Sequence, residues 1–248
     1  MFPKVKLQAG AVFIADAHEN AHRHYLKEFL DSLDSSTIPL PSQLFLMGDM
    51  FDLLVGEVAY TRQIHDITIR RLEALAQKIP IYYLEGNHDF NLHKLFLHVK
   101  IIPIQSQPLH VKTPLGALLL WHGDKYGTFS HRFYTKFIRN PLLLKALNFI
   151  DRAVQFKITK FILEKLAQKS ICRKIENFKE KTILRLNEYP KIKAWGIGEG
   201  HFHQGWEGEI NGFYYINFPS FACERSYFVV QCPKSMQSAK LQLRGSNV

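Results

Sequence analysis

An α/β fold follows from three features of this chain of 248 residues. Short apolar runs rich in β-formers recur at 11–15 (AVFIA), 43–47 (QLFLM), 81–84 (IYYL) and 117–121 (ALLLW). Helical patterns lie between the first three, at about 21–33 and 60–78. Strand and helix therefore alternate, the pattern of a sheet with helices on its faces. After residue 193 strand-like runs return in AWGIG, GFYYINF and YFVVQC, punctuated by Gly, Pro and aromatic residues, with no long helix between them.

Residues 128–188 break the alternation. The run PLLLKALNFIDRAVQFKITKFILEKLAQK puts Leu143, Leu147, Ile150, Val154, Ile158 and Phe161 at helical spacing, with basic residues between them. Pro141 suits a helix start. A second helical stretch, 171–188, is basic and less apolar. With 46% hydrophobic residues the chain can bury one large core. We therefore expect a single domain over 1–248 with 128–188 as an inserted helical cap.

Charge sets that segment apart. Residues 125–193 hold 17 Lys and Arg against 5 Asp and Glu, a net of +12, while the whole chain is at +10. Such a segment seeks phosphate in a nucleic acid, a phospholipid surface or a phosphorylated ligand. It could equally pack on the core with a solvated basic face. Cys172, Cys223 and Cys232 are odd in number and lack CxxC spacing. They read as packing thiols in a reducing compartment, without a disulfide framework. The stretch MFPKVKLQAGAVFIADAH is not that of a signal peptide, because its apolar part is short and runs into Asp16. No run approaches the ~20 apolar residues of a membrane span, so a cytoplasmic location is expected, with a membrane surface still accessible to it.

Each core strand ends in a polar cluster. AVFIA runs into Asp16-Ala17-His18, QLFLM into Gly48-Asp49-Met50-Phe51-Asp52, and IYYL into Gly86-Asn87-His88-Asp89. ALLLW runs into His122-Gly123-Asp124, and late in the chain WGIG runs into Gly200-His201-Phe202-His203. In open α/β sheets the carboxyl ends of the strands form the ligand crevice. Asp, His and Asn offer oxygen and imidazole donors without a thiolate, a set suited to Mn²⁺, Fe, Zn²⁺ or Mg²⁺. Residues two apart in DxH and HxH point to the same side of an extended chain. Seven candidate ligands exceed one ion's needs and suit two ions that share a carboxylate and activate a water for in-line attack on phosphorus. The other histidines (His22, His24, His65, His93, His98, His110 and His131) lie outside these clusters. Each motif alone is short enough to be a turn or a cap; the five together are not.

DxH, GDxxD, GNHD, HGD and GHxH, in that order from residue 16 to 203, resemble the calcineurin-like metallophosphoesterase superfamily. The resemblance implies a four-layer αββα sandwich and a site residue by residue. Asp16, His18 and His203 bind the first metal, Asn87, His122 and His201 the second, and Asp49 bridges. His88 lies near the phosphate as general acid or transition-state stabiliser, oriented by Asp52. Asp89 is either a loop-fixing residue or more, and Asp124 either a partner of a ligand or a loop residue. GNHE is frequent in the superfamily where this chain has GNHD.

The cap after HGD, with its apolar and basic helices before GHxH, resembles UDP-2,3-diacylglucosamine hydrolases of lipid A synthesis. That likeness implies two Mn²⁺ ions, a nucleotide-linked glycolipid as substrate and an anionic membrane surface as partner. Its reaction is hydrolysis of the pyrophosphate to lipid 1-phosphate and UMP. Acyl chains need an apolar groove, and the pyrophosphate and anionic membrane surface need Lys and Arg. The well-known branch reads GNRDF and GHTHRP where this chain reads GNHDF and GHFHQG. His88 thus fits the general phosphoesterase pattern, leaving another nucleotide diphosphate or phosphodiester as an alternative substrate. A nuclease would also use the basic segment, but nucleic acid does not call for its Leu, Ile and Phe. A non-enzymatic membrane-binding scaffold would need a decayed site, and all seven ligand positions are filled.

Overall fold

The computed structural model describes residues 5–124, 137–187, 193–231 and 241–245. Residues 128–136 and 188 of the expected cap, together with His131 and Cys232, lie outside the described residues. Up to the HGD motif the elements are β1 (Val5–Lys6), β2 (Val12–Ile14), α1 (Tyr25–Asp34), β3 (Leu44–Leu46), β4 (Leu54–Val55), α2 (Ala59–Ile64), α3 (Asp66–Ala76), β5 (Ile81–Leu84), β6 (Asp89–Phe90), β7 (Lys100–Ile102), β8 (Leu109–Thr113) and β9 (Gly116–Trp121). Then come α4 (Pro141–Ala153), α5 (Lys157–Ala167), α6 (Phe178–Leu186), β10 (Gly196–Glu199), β11 (Trp206–Ile210), β12 (Phe213–Asn217), α7 (Phe221–Glu224), β13 (Ser226–Val230) and β14 (Leu241–Gly245).

Two six-stranded sheets result, ordered β14-β13-β2-β3-β5-β7 and β1-β8-β9-β10-β12-β11, with β4 and β6 as a separate parallel pair. β2, β3, β5 and β7 run parallel, as do β9, β10 and β12. The sheets face each other through a stack of rings. Phe13 lies 4.5 Å from Phe45 and 5.3 Å from Phe218, and Phe45 lies 5.0 Å from Tyr82. Leu118 and Leu120 close the same layer from the second sheet. On the outer face of the first sheet, Ile14, Leu46 and Tyr83 pack against Leu26 and Leu30 of α1 and Leu72 of α3. Burial on both faces explains why these strands read as unbroken apolar runs instead of alternating ones. On the outer face of the second sheet, Leu119, Trp121 and Tyr215 meet Phe178 of α6, with Ile175 and Ile183 beside it. The order helix, sheet, sheet, helix is the expected four-layer sandwich. α6, expected in the cap, supplies the fourth layer.

The helical stripe over 143–161 is not one helix. α4 and α5 meet at a sharp corner where Gln155 and Phe156 have φ of 55° and 63°. Buried Asp151 explains the corner. Its carboxylate accepts from the N–H of Ile158 (3.0 Å) and Thr159 (3.2 Å) and from the Thr159 hydroxyl (2.5 Å), so it caps the start of α5 from the preceding helix. Along the stripe, Leu143, Leu147 and Ile158 line an open cavity beneath the helices. Leu147 and Ile158 remain exposed there, as are Ile150, Val154 and Phe161 outside its lining.

The thiols are not all free, contrary to the expectation from their spacing. Cys172 and Cys223 form a disulfide, 51 residues apart in sequence with Cα atoms 5.6 Å apart. Tertiary folding, not local spacing, brings them together.

Asp151→Ala removes the cap of α5 and should lower stability by about 1–2 kcal/mol, the upper range for a helix cap. Denaturant unfolding measures it; an unchanged midpoint would mean the corner does not depend on Asp151.

Candidate dinuclear metal centre

All seven predicted ligands meet at the ends of β2, β3, β5, β9 and β10. They fall into two groups. Asp16, His18 and His203 place donor atoms within 4.8 Å of one another, and so do Asp49, His122 and His201. In the first group the His203 Nε2 lies 3.2 Å from Asp16 Oδ1 and 3.4 Å from His18 Nε2. In the second, His122 Nε2 lies 3.4 Å from Asp49 Oδ2 and 3.3 Å from Asn87 Oδ1, which brings the amide into that group.

The backbone achieves this differently from the extended geometry expected for DxH and HxH. Asp16, His18, Asp49, His201 and His203 all have left-handed φ, between 46° and 63°. A side chain at such φ costs of order 1 kcal/mol or more, and such strain clusters at functional sites. Each polar cluster thus turns off its strand at once and folds its donors inward. Space is as tight as the backbone. A Cβ at Gly86 would sit 2.2 Å from Asp49 Oδ1, and one at Gly48, itself at φ 94°, 2.3 Å from His122 Nδ1.

Ring orientation is set by backbone carbonyls. His122 Nδ1 donates to Met47 O at 2.9 Å and His203 Nδ1 to Ile171 O at 2.6 Å. Each ring then turns an Nε2 lone pair inward, the form a metal requires. His88 is held in the same way, with Nδ1 donating to the peptide carbonyl of Asp52 at 2.7 Å. The link from Asp52 to His88 is therefore through the main chain. The Asp52 carboxylate instead meets His18 Nδ1 (3.2 Å), Asn20 Nδ2 (2.5 Å) and Arg23 (2.9 Å).

Asp89 has a definite place. Its buried carboxylate accepts from the N–H of Asp49 (3.0 Å), Met50 (2.6 Å) and Gly86 (2.9 Å) and from Tyr83 OH (2.5 Å). Burial, followed by the neighbouring Asp49 charge, pushes its pKa up to about 7. Asp49 itself also suffers burial, yet the charges of His122, His88 and His18 outweigh it and hold the carboxyl well below the usual range. Burial, reinforced by His122, pushes His201 down to about 4. Against their burial, Asp49 raises His122 and Asp16 raises His203, so the cluster gathers anionic carboxylates and imidazoles whose protons a divalent cation would displace.

Four contributors carried no signal of this role in the sequence. Arg23 belongs to an ordinary helical stretch. Arg139, one of many basic residues in its segment, is buried and donates to Gly86 O (2.7 Å) and Asp124 Oδ2 (3.2 Å). That pair gives Asp124 its role beside the Asn87 loop. Lys169 and Arg173 border the mouth of the centre together with His18, His88 and His203. A separate cavity of about 550 Å³ opens on Asn87, His88 and His201 and runs beneath α4 and α5 among Leu143, Leu147 and Ile162.

These motifs match the calcineurin-like phosphoesterase family over residues 11–205. The chain belongs to that family and is a metal-dependent hydrolase. Among curated proteins it is similar to the UDP-2,3-diacylglucosamine hydrolase of Psychromonas ingrahamii, at 26% identity over 78% of this chain and 80% of the relative. Its counterparts from Histophilus somni (27%; 64% and 67%) and Coxiella burnetii (23%; 78% and 80%) are similar to comparable degrees. Among solved structures, a Vps29 variant from Entamoeba histolytica aligns over 96% of this chain and 99% of its own, with 14% identity and a TM-score of 0.42. A novel archaeal phosphodiesterase aligns over 94% and 98%, with 10% identity and a TM-score of 0.43.

Asp49→Ala should leave the fold intact and remove most bound divalent metal together with nearly all hydrolysis. Elemental analysis decides it: two ions per chain in the variant would reject Asp49 as the shared ligand.

Proposed function

We propose that the protein hydrolyses the pyrophosphate of UDP-2,3-diacylglucosamine, releasing the lipid 1-phosphate and UMP. The observation that carries this reading is the apolar cavity beneath α4 and α5, which opens on Asn87, His88 and His201. A diester whose reacting phosphorus sits at the two donor groups would direct its acyl chains there. Each CH₂ buried contributes roughly 0.8 kcal/mol. Relatives at 23–27% identity bear the corresponding name.

In this reading Asp16, His18 and His203 hold one divalent ion, Asn87, His122 and His201 a second, and Asp49 both. Mn²⁺ is the proposed metal. Two such ions supply Lewis-acid charge at the phosphorus and activate a water. The chain's own residues do the rest. His88, fixed through Nδ1 by the Asp52 carbonyl, presents Nε2 to the leaving oxygen and gives it a proton or a positive charge. Asp52 and Arg23 hold His18 in place. Lys169 and Arg173 at the mouth offset the charge of the diphosphate.

The substrate also suggests a location. Among the described residues no helix is long and apolar enough to cross a membrane. Leu142, Phe149 and Phe161 are exposed on α4 and α5, with Lys145 and Lys165 among them. We place the protein in the cytoplasm, where the Cys172–Cys223 bond would be open to reduction, resting peripherally on the inner face of the membrane through this apolar and basic surface. The basic charge would also serve a nuclease, but an apolar cavity beside the reacting phosphorus favours a lipid.

Mass spectrometry of UDP-diacylglucosamine incubated with Mn²⁺-loaded protein tests the reaction, with lipid 1-phosphate and UMP as the expected products. Intact substrate would refute it. His88→Asn should keep both ions and lose roughly 10²–10⁴-fold in turnover; an undiminished rate on a poor leaving group would leave His88 no catalytic part. Leu147→Asp combined with Ile162→Asp puts charge into the cavity. Activity on the acylated nucleotide sugar should fall roughly tenfold further than on a small chromogenic diester, whereas equal losses would mark the cavity as ordinary packing.

A further inference from the structure

The segment between α5 and α6 lies against the first group of donors. Ser170, Ile171 and Arg173 border the mouth of the centre, and the Ile171 carbonyl is the acceptor that orients His203. The next residue, Cys172, is bonded to Cys223 on α7. α7 in turn is fastened to the end of β2. Ser220 Oγ and the Ala222 N–H donate to Asp16 O at 2.8 and 3.1 Å, and the Phe221 N–H to Ala15 O at 2.8 Å. One end of the crosslink is therefore anchored at Asp16. The other adjoins the carbonyl that aims His203. Asp16 and His203 are the pair 3.2 Å apart in the first donor group.

We propose that the Cys172–Cys223 crosslink positions His203, and through it the first metal site. The inference rests on His203 as a metal ligand and is independent of the substrate. A carbonyl on Nδ1 fixes the tautomer and tilt of a ligating imidazole, and loss of such a partner costs about 10–100-fold in metal affinity. Four further ties hold the segment: the Lys174–Glu224 pair (2.9 Å), Lys174 Nζ to Gln204 O (3.2 Å), Gln204 Nε2 to Arg173 O (3.2 Å) and the Ile175 N–H to Gln204 Oε1 (2.7 Å). The first is an exposed ion pair and contributes little. The crosslink is the covalent restraint, and Cys172 is exposed, so a small dithiol reaches it. A thiolate of the dithiol attacks one sulfur, the S–S bond breaks and a mixed disulfide forms. The second thiol resolves it, leaving two protein thiols and the oxidised dithiol, a transfer of two electrons and two protons. Reduction then frees the Ile171 segment and loosens the first site. Asp49, His122 and His201, oriented from other elements, keep their geometry.

The test uses full-length protein, oxidised or reduced with dithiothreitol that is removed anaerobically, beside Cys172→Ser, Cys223→Ser and the double variant. Thiol titration of the denatured chain, which has three cysteines, should rise from one to three on reduction. Mn²⁺ titration followed by electron paramagnetic resonance of the free ion reads the two affinities. Reduction and each serine variant should weaken one ion by roughly 10-fold or more and leave the other unchanged, with the variants indifferent to reductant. Unchanged affinities, equal weakening of both ions, or three thiols in the untreated protein would overturn the proposal. His203→Ala separates two failures. If it weakens one ion while the serine variants do not, only the crosslink's role falls; if it weakens neither, the ligand assignment falls and this inference with it.

Discussion

The buried carboxylate of Asp89 is the interaction on which the rest of the centre depends. Three N–H groups and one hydroxyl converge on it. Two of the N–H groups belong to the loop after β3 and one to the loop after β5. A single side chain thus ties the Asp49 loop to the Asn87-His88 loop. His88 N–H donates in turn to Asp49 Oδ1 at 2.9 Å. Without such a hub the left-handed turn at Asp49 would have no compensation for its strain, because donors buried without an acceptor cost about 1–3 kcal/mol each. A carboxylate can accept several bonds at once, which suits this position to Asp.

The same economy of fastening recurs around the site. Arg139 reaches in from the start of the α-helical cover to Gly86 O and Asp124. Arg185 of α6 grips Glu199 at 2.6–2.8 Å, two residues before His201. Arg23 reaches Asp52 from the start of α1. Basic residues therefore have two jobs in this chain. Some, buried or half-buried, brace the loops that carry the donor groups. Others, such as Lys169 and Arg173, stand at the mouth of the centre. Net charge alone does not distinguish the two.

The covering helices divide the space above the metals by chemistry. Within α4, Leu147 borders the cavity and Ile150 does not, and within α5, Ile158 borders it and Phe161 does not. The cavity side is lined by Leu143, Leu147 and Ile162, and the outer side exposes Leu142, Phe149 and Phe161.

Much of this was legible in the sequence, for a physical reason. Strands buried on both faces must be continuously apolar, so AVFIA, QLFLM, IYYL and ALLLW declare themselves, and the polar residues that follow each one stand out. Donor types, glycines and the order of the five motifs defined the family and brought the seven ligand positions to attention. Tertiary structure decided what has no local pattern. The corner at Asp151 depends on a carboxylate capping a helix that begins six residues later. The pairing of Cys172 with Cys223, the main-chain route from Asp52 to His88 and the braces from Arg23 and Arg139 join residues distant in sequence. Local propensity and periodicity act over a few residues, so the sequence determined which strands form and what chemistry they end in. Which side chains aim, brace and crosslink that chemistry was decided only when the two sheets closed on each other.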